Sequence, residues 1–314
     1  MSVLVCGSIA YDTLLTFQDS FSKHILPDQL HKLSVCFMVP HLRREFGGCA
    51  GNIAYNLKML GGDPVILSSA GDDFGPYRQH LQRQGLRTDG IREIADCYTA
   101  QCFITSDRDD NQITAFHPGA TDFATLNHAG QMPGIELAIV APSGHQADLQ
   151  HARELSAAGV PYFFDPGQEL PLLSDAELQE MIERATYLAL NDYEAEMMQA
   201  RTGLTLSQLA GRVEALVVTR GAQGSDIYAD RHYRIEGVPV ERVVDPTGCG
   251  DAYRAGLLYG ISHGLGWLAS GRLASMLGAI KIASRGGQNH VFDWPGLARQ
   301  YQTHFGDAWP GQLP

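Results

Sequence analysis

The chain reads as an α/β protein with a mostly parallel sheet and helices on both of its faces. Two observations predict this. Short apolar runs alternate with amphipathic stretches through the middle of the sequence, the pattern of strands buried between two helical layers. The chain also has 314 residues, 44% of them hydrophobic, enough to bury a large core as one domain or as one domain with an appendage.

In chain order, Val3–Ile9 is a buried first strand. Ala50–Leu60 is a helix with Ile53, Leu57 and Leu60 on one face, ended by Gly61-Gly62. Val65–Ser69 is a strand, and Pro76–Gln84 a helix that Gly85 stops. Strand and helix then alternate: Leu137–Ala141, Ala147–Ala158, Tyr162–Asp165, Asp175–Arg184, Tyr187–Leu190, Tyr193–Arg201, with Ala215–Thr219 as one more strand. Two segments break the rhythm. Leu14–Phe46 is mixed, with an extended run at Leu33–Val39. Tyr98–His117 reads as a hairpin joined by Asp107-Arg-Asp-Asp-Asn111. Both are excursions from the main sheet, at about 13–47 and 97–118, expected to pair into a small β layer. Their apolar residues Phe37, Met38, Phe103 and Phe116 need cover from substrate or from a partner chain. No repeat or low-complexity tract appears, and the tail after Trp294 is loosely patterned.

The formal net charge is -12 and the 23 basic residues are scattered, so neither nucleic acid nor a membrane surface is an expected partner. No apolar run approaches the roughly 18–20 residues of a membrane helix. The six cysteines, Cys6, Cys36, Cys49, Cys97, Cys102 and Cys249, show no CxxC spacing. They read as reduced thiols of a cytoplasmic protein rather than a disulfide framework or zinc site. The histidines, His117 and His145 among them, share no metal-ligand spacing.

The most distinctive stretch is Asp245-Pro-Thr-Gly-Cys-Gly-Asp251, which runs straight into the apolar segment Ala252–Gly260. Small residues let backbone N–H groups converge, and a helix N-terminus favours an anion. An aspartate there can take a proton while the amides beside it hold a phosphate, the equipment for moving a phosphoryl group onto an alcohol. Capping of the following helix is the plainer role for Asp251, and a tight turn the plainer role for Gly248, Cys249 and Gly250. Cys249 has no evident partner base and is not expected to be a nucleophile. Asp12, Asp165, Asn191 and Thr219 all fall at strand-to-helix junctions, beyond the carboxyl ends of the strands, where such sheets bind ligands.

Four motifs in order carry a resemblance over nearly the whole chain: Phe46-Gly-Gly-Cys-Ala-Gly-Asn52-Ile-Ala, Asn191-Asp-Tyr-Glu194, Val218-Thr-Arg-Gly-Ala-Gln-Gly224 and Asp245–Asp251. Together they resemble the ribokinase-like, or PfkB-type, carbohydrate kinases, and among these the bacterial adenosine kinases most. No Walker-type phosphate loop is present, and that family does not use one. The resemblance implies a single three-layer ribokinase-like domain over 1–314, with a mostly parallel central sheet and a small β-sheet lid. It implies Mg²⁺ and ATP as the phosphoryl donor, and a monovalent cation such as K⁺ near Asp245.

On that resemblance Asp251 is the base, and Gly248, Cys249 and Gly250 form the anion hole. Asp12, Gly48 and Asn52 grip the acceptor's hydroxyls. Thr219, Gly221 and Gly224 border the nucleotide, where a β-hairpin turn is the plainer reading and both can hold. Asn289, in Gly286-Gly-Gln-Asn289, lies beside ATP. Asn191 and Glu194 meet ATP's hydrated Mg²⁺ through water; from the residues alone they read as an N-cap with its N3 partner. Phe103 and Phe116 either stack on a nucleoside base or pack the lid core. Arg254 either balances phosphate charge or pairs with a structural carboxylate. The expected reaction is 5′-phosphorylation of a nucleoside, adenosine first. The rivals are a kinase of ribose, fructose or a related sugar, and a binding protein on a degenerate kinase fold. An exposed lid edge leaves monomer and homodimer both open.

Overall fold

The computed structural model describes residues 1–25, 31–109 and 111–311. Part of the first excursion (26–30) and Asp110 of the expected hairpin turn lie outside the described residues. In chain order the strands are β1 (Ser2–Cys6), β2 (Ala10–Thr16), β3 (His41–Gly47), β4 (Asp63–Ala70), β5 (Ile91–Glu93), β6 (Ala100–Ser106), β7 (Gln112–His117), β8 (Ile135–Val140), β9 (Tyr162–Phe164), β10 (Tyr187–Asn191), β11 (Ala215–Thr219), β12 (Ser225–Tyr228) and β13 (His232–Ile235). The helices are α1 (Cys49–Met59), α2 (Gly75–Arg83), α3 (His145–Ala157), α4 (Asp175–Arg184), α5 (Asp192–Thr202), α6 (Leu206–Ala210), α7 (Cys249–Ser262), α8 (Gly266–Ile282) and α9 (Trp294–Phe305).

Nine strands form one sheet in the order β13-β12-β11-β10-β9-β8-β1-β4-β5, and β3-β2-β6-β7 form a second, small one. The large sheet is parallel from β11 to β5; only the β11–β12 and β12–β13 pairs are antiparallel. β1 shows why it is buried on both faces. Val3 and Val5 enter the core shared with α1, α7 and α8, while Leu4 and Cys6 enter the core beneath α3, α4 and α5. Apolar residues at both phases of the two-residue period leave no solvent face. The three layers and the small separate sheet are the ribokinase-like architecture that the motifs imply.

The strands expected from Val65–Ser69 to Ala215–Thr219 all form, with boundaries within two residues. Three expectations need correction. The first strand stops at Cys6, and the chain bends at Gly7-Ser8 into β2 of the small sheet. Leu33–Val39 is unpaired; the strand of that excursion follows it, at His41–Gly47, and Phe37 packs on Phe17 and Phe21. The loosely patterned tail holds a helix, α9, started by the Asp293 carboxylate accepting from the Gly296 N–H and ended by left-handed Gly306. Of the excursions' other apolar residues, Met38, Phe103 and Phe116 are exposed.

Candidate active site

α7 begins at the glycine turn. Its N-cap is Gly248, in the left-handed region with φ 77°, and no side chain caps the helix. Asp251 is therefore not the cap; it sits in the first turn, and its Oδ2 accepts a hydrogen bond from Asn52 Nδ2 at 2.8 Å. Burial raises its carboxyl pKa to about 6, against the Asn52 hydrogen bond; Asp165 raises it further, while Arg254 and Lys281 pull it down. A carboxylate poised near neutrality at a helix N-terminus is the equipment of a general base beside an anion site. Burial likewise raises the neighbouring Cys249 thiol to about 11, so it stays protonated and is no nucleophile.

On one side of this turn lie the residues expected to face the acceptor. Asn52 is fixed at both ends of its amide, since Gln288 Nε2 donates to its Oδ1 at 3.1 Å and to the Tyr77 hydroxyl at 2.6 Å. Tyr77 in turn donates to the Gly47 carbonyl at 2.7 Å, and His80 Nε2 lies 3.0 Å from Gln288 Oε1. Asn52 thus fixes the Asp251 carboxylate. Gly48, the N-cap of α1 at φ 86°, stands beside it. Asp12 comes from β2. Burial, and then the negative charges of Asp251, Asp245 and Glu45, raise it to about 6, and no hydrogen bond offsets them. A buried carboxyl with no hydrogen-bond partner among the described residues is suited to accept from hydroxyl donors.

On the other side is a cavity of about 520 Å³ lined by Thr219, Gly221 and Gly224 as expected, and by Cys249 and Gly250 of the turn. Its remaining walls are mostly apolar: Val238, Pro239, Val240, Val243, Ala279 and Ile282. The sequence reading missed these walls because they come from an irregular segment after β13 and from α8. Thr219 and Gly224 also flank the β11–β12 hairpin, the plainer reading of that loop, and this leaves them free to line the cavity as well. A smaller cavity of about 350 Å³, bordered by Arg231, Trp267 and Tyr301, carries none of the expected residues.

Other expected residues have protein partners of their own. Arg254 pairs with a structural carboxylate. Its Nε and Nη2 grip Asp165 at 3.1 and 3.0 Å, and both side chains are buried. Asn191 and Glu194 form the capping box of α5, with the Glu194 carboxylate accepting from the Asn191 backbone N–H and Nδ2, both at 2.8 Å. Asn289 is not a wall of the cavity; its Nδ2 donates to Glu45 Oε2 of β3 at 2.7 Å. Phe103 and Phe116 do not share a face. Asp12, Cys102 and Phe116 are in register, whereas Phe103 pairs with Thr13 and Ala115. Alternation along the strands puts Phe116 on the Asp12 face and Phe103 on the opposite one, so the two rings cannot both contact one bound base.

Lys281 was missed altogether. It is fully buried in the last turn of α8, and its Nζ donates to the carbonyl oxygens of Asp245 at 2.7 Å and Ser284 at 3.2 Å. The Asp245 carboxylate accepts from the Thr247 and Gly286 backbone N–H groups at 3.0 and 2.9 Å. These hydrogen bonds hold its pKa below the ordinary value despite burial. Together they tie the glycine turn to the loop after α8.

Known proteins of similar sequence and fold place the chain in a family. The nucleoside kinase of Burkholderia thailandensis in complex with inosine superposes with a TM-score of 0.89 at 49% identity, over 98% of this chain and 99% of that one. The same enzyme in complex with ADP-inosine gives 0.88 at 50%, over 99% and 98%. The nucleoside kinase of Methanocaldococcus jannaschii is 30% identical over 270 residues, 85% of this chain and 88% of the relative. The family profile for pfkB family carbohydrate kinases matches residues 19–294. With that profile covering most of the chain, the chain belongs to the PfkB family of carbohydrate kinases and is a phosphotransferase acting on an alcohol group.

Proposed function

We propose that the protein is an ATP-dependent nucleoside kinase acting on the 5′-hydroxyl. The observation that carries this reading is the placement of Asp251 between two spaces: the Asp12–Asn52 side, suited to hydroxyls, and an apolar-walled cavity that reaches the turn through Gly250. ATP enters the cavity, with its adenine against Val238, Val243 and Ile282. The acceptor's ribose hydroxyls meet Asp12. Asp251 takes the 5′-hydroxyl proton, and the Gly248–Gly250 amides face the charge that builds on the transferring phosphoryl group. The nucleoside class rests on the Burkholderia and Methanocaldococcus relatives. Adenosine is one candidate acceptor and inosine, bound by the Burkholderia enzyme, another. Six unpaired cysteines are in keeping with a cytoplasmic location, and no helix among the described residues is long and apolar enough to cross a membrane.

Among the described residues no group of three or more His, Cys, Asp or Glu side chains is arranged to hold a metal. Mg²⁺ keeps several waters and enters with phosphates rather than in a protein cage. Glu194 and Asn191 fit as partners of its waters, because Asn191 lies in register with Thr219 at the cavity wall. Bound there, the ion neutralises charge on the phosphates.

ADP release from Mg-ATP, measured across adenosine, inosine, other nucleosides, ribose and fructose, tests the reading. Turnover with nucleosides well above that with either sugar is expected. Turnover confined to a sugar would overturn the acceptor class while leaving the kinase intact.

A second prediction concerns Gly250. A Cβ built there meets nothing within 4 Å, and the residue is helical. Gly250→Ala should therefore fold as well as wild type or gain about 0.5–1 kcal/mol. Its methyl projects into the space a phosphate needs, so kcat/KM for ATP should fall at least about tenfold. Thermal melting beside ATP kinetics checks both halves, and unchanged kinetics would remove Gly250 from the anion hole.

A further inference from the structure

The family resemblance implies a monovalent cation near Asp245, and the residues there do not fit one. The two oxygens of the Asp245 carboxylate already accept the Thr247 and Gly286 N–H groups. The Asp245 and Ser284 carbonyl oxygens, which face each other across the junction of the glycine turn and the α8 loop, already accept Lys281 Nζ. The Ile282 carbonyl accepts the Val244 and Asp245 N–H groups at 2.9 and 3.1 Å. A metal ion on these oxygens would lie against a buried ammonium, and like charges at contact distance in a protein interior repel strongly.

Lys281 supplies what an ion would supply. Its charge sits within electrostatic reach of Asp245, Cys249 and Asp251. It is delivered at the carboxyl end of α8, where a cation is favoured by the helix's carbonyl groups, and it is completely shielded from solvent. Burial, and more weakly Arg43, lower its pKa, while Cys249, Asp245 and Asp251 act to raise it, and two carbonyl oxygens accept from the ammonium, which favours the charged form against burial. The group is covalently part of α8 and so cannot dissociate as a free ion does.

We propose that Lys281 is a built-in monovalent cation beneath the anion-hole turn, so that this kinase runs without K⁺. Only the turnover arm of the test below depends on the nucleoside reading; the melting arm needs no acceptor.

The test compares wild type and Lys281→Ala in choline chloride, KCl and NH₄Cl at equal ionic strength, by turnover and by melting temperature. Wild type should change less than about twofold in kcat between the salts, and its melting temperature should not distinguish K⁺ from choline. Lys281→Ala removes the ammonium and opens a space lined by carbonyl oxygens. It should lose turnover in choline by about tenfold or more. K⁺ or NH₄⁺ should restore part of that loss and raise its melting temperature above the choline value. Strong K⁺ activation of wild type overturns the proposal without any variant. So does a Lys281→Ala protein that keeps wild-type turnover in choline, or one whose turnover and melting are both indifferent to K⁺ and NH₄⁺, since a merely structural lysine predicts that indifference. Should no acceptor turn over, the nucleoside reading fails, and the melting comparison still decides this one.

Discussion

Asp251→Asn is expected to lower kcat by about 10²–10⁴-fold, the range for loss of a positioned proton acceptor. The KM values for ATP and acceptor should stay close to wild type. The amide replaces the carboxylate at the same size, so Asn52 and the glycine turn keep their places and only the proton affinity is lost. Wild-type turnover should fall as pH drops through about 6, the value to which burial raises this carboxyl, because the base acts only when unprotonated. The sign for stability is opposite. A carboxyl whose pKa is raised on folding contributes stability that is complete below its unfolded value near 3.8 and is lost as pH rises through about 6. At neutral pH the Asn variant should therefore melt at or above the wild-type temperature, the usual relation between an active-site charge and stability. Kinetics against pH, run beside melting, checks both. A variant with near-normal kcat would show that Asp251 is not the base.

Arg254 and Asp165 carry the largest predicted effect on folding. They form a two-point pair with side chains only 6% and 10% exposed. Arg254→Met leaves Asp165 charged and buried, and Asp165→Asn leaves the guanidinium without its counter-charge. Each single change should cost about 3–5 kcal/mol in urea unfolding, because an unpaired buried ion is left behind. The double variant should lose much less than the sum, since it removes both charges together. Additive losses would show that the two residues act independently. The pair also reaches the chemistry, because Asp165 raises and Arg254 lowers the Asp251 pKa. Asp165→Asn should therefore move the acid limb of turnover downward.

The parallel strands were legible because burial on both faces writes them as unbroken apolar runs, as in Leu137–Ala141 and Ala215–Thr219. β3, His-Leu-Arg-Arg-Glu-Phe-Gly, was not, because its mixed exposure leaves no clean alternation. α8 escaped for a different reason: it is buried by small and apolar residues on most sides and has no polar face to reveal a period. In the site, residues joined by local sequence were readable, above all Asp245–Asp251. Those joined only by the fold were not. Asn52 and Asp251 are 199 positions apart, Asp165 and Arg254 89, and Asp245 and Lys281 36. Nothing local marks such partners, so Arg254 could be singled out but not matched. Phe103 failed on a smaller scale, because which face it takes depends on register, and one residue reverses it.

The short connection between the two sheets limits how freely they can part. Only Gly7, Ser8 and Ile9 separate β1 from β2, and Ser8 is bolted to the first turn of α1: its carbonyl accepts from the Ala50 N–H at 3.0 Å and its hydroxyl from the Cys49 N–H at 3.2 Å. Asn52 lies two residues beyond Ala50. Asp12 on the small sheet and Asn52 on α1 are thus tethered to the same three residues, so any displacement of the small sheet must bend Gly7–Ile9 or strain the start of the helix that carries Asn52.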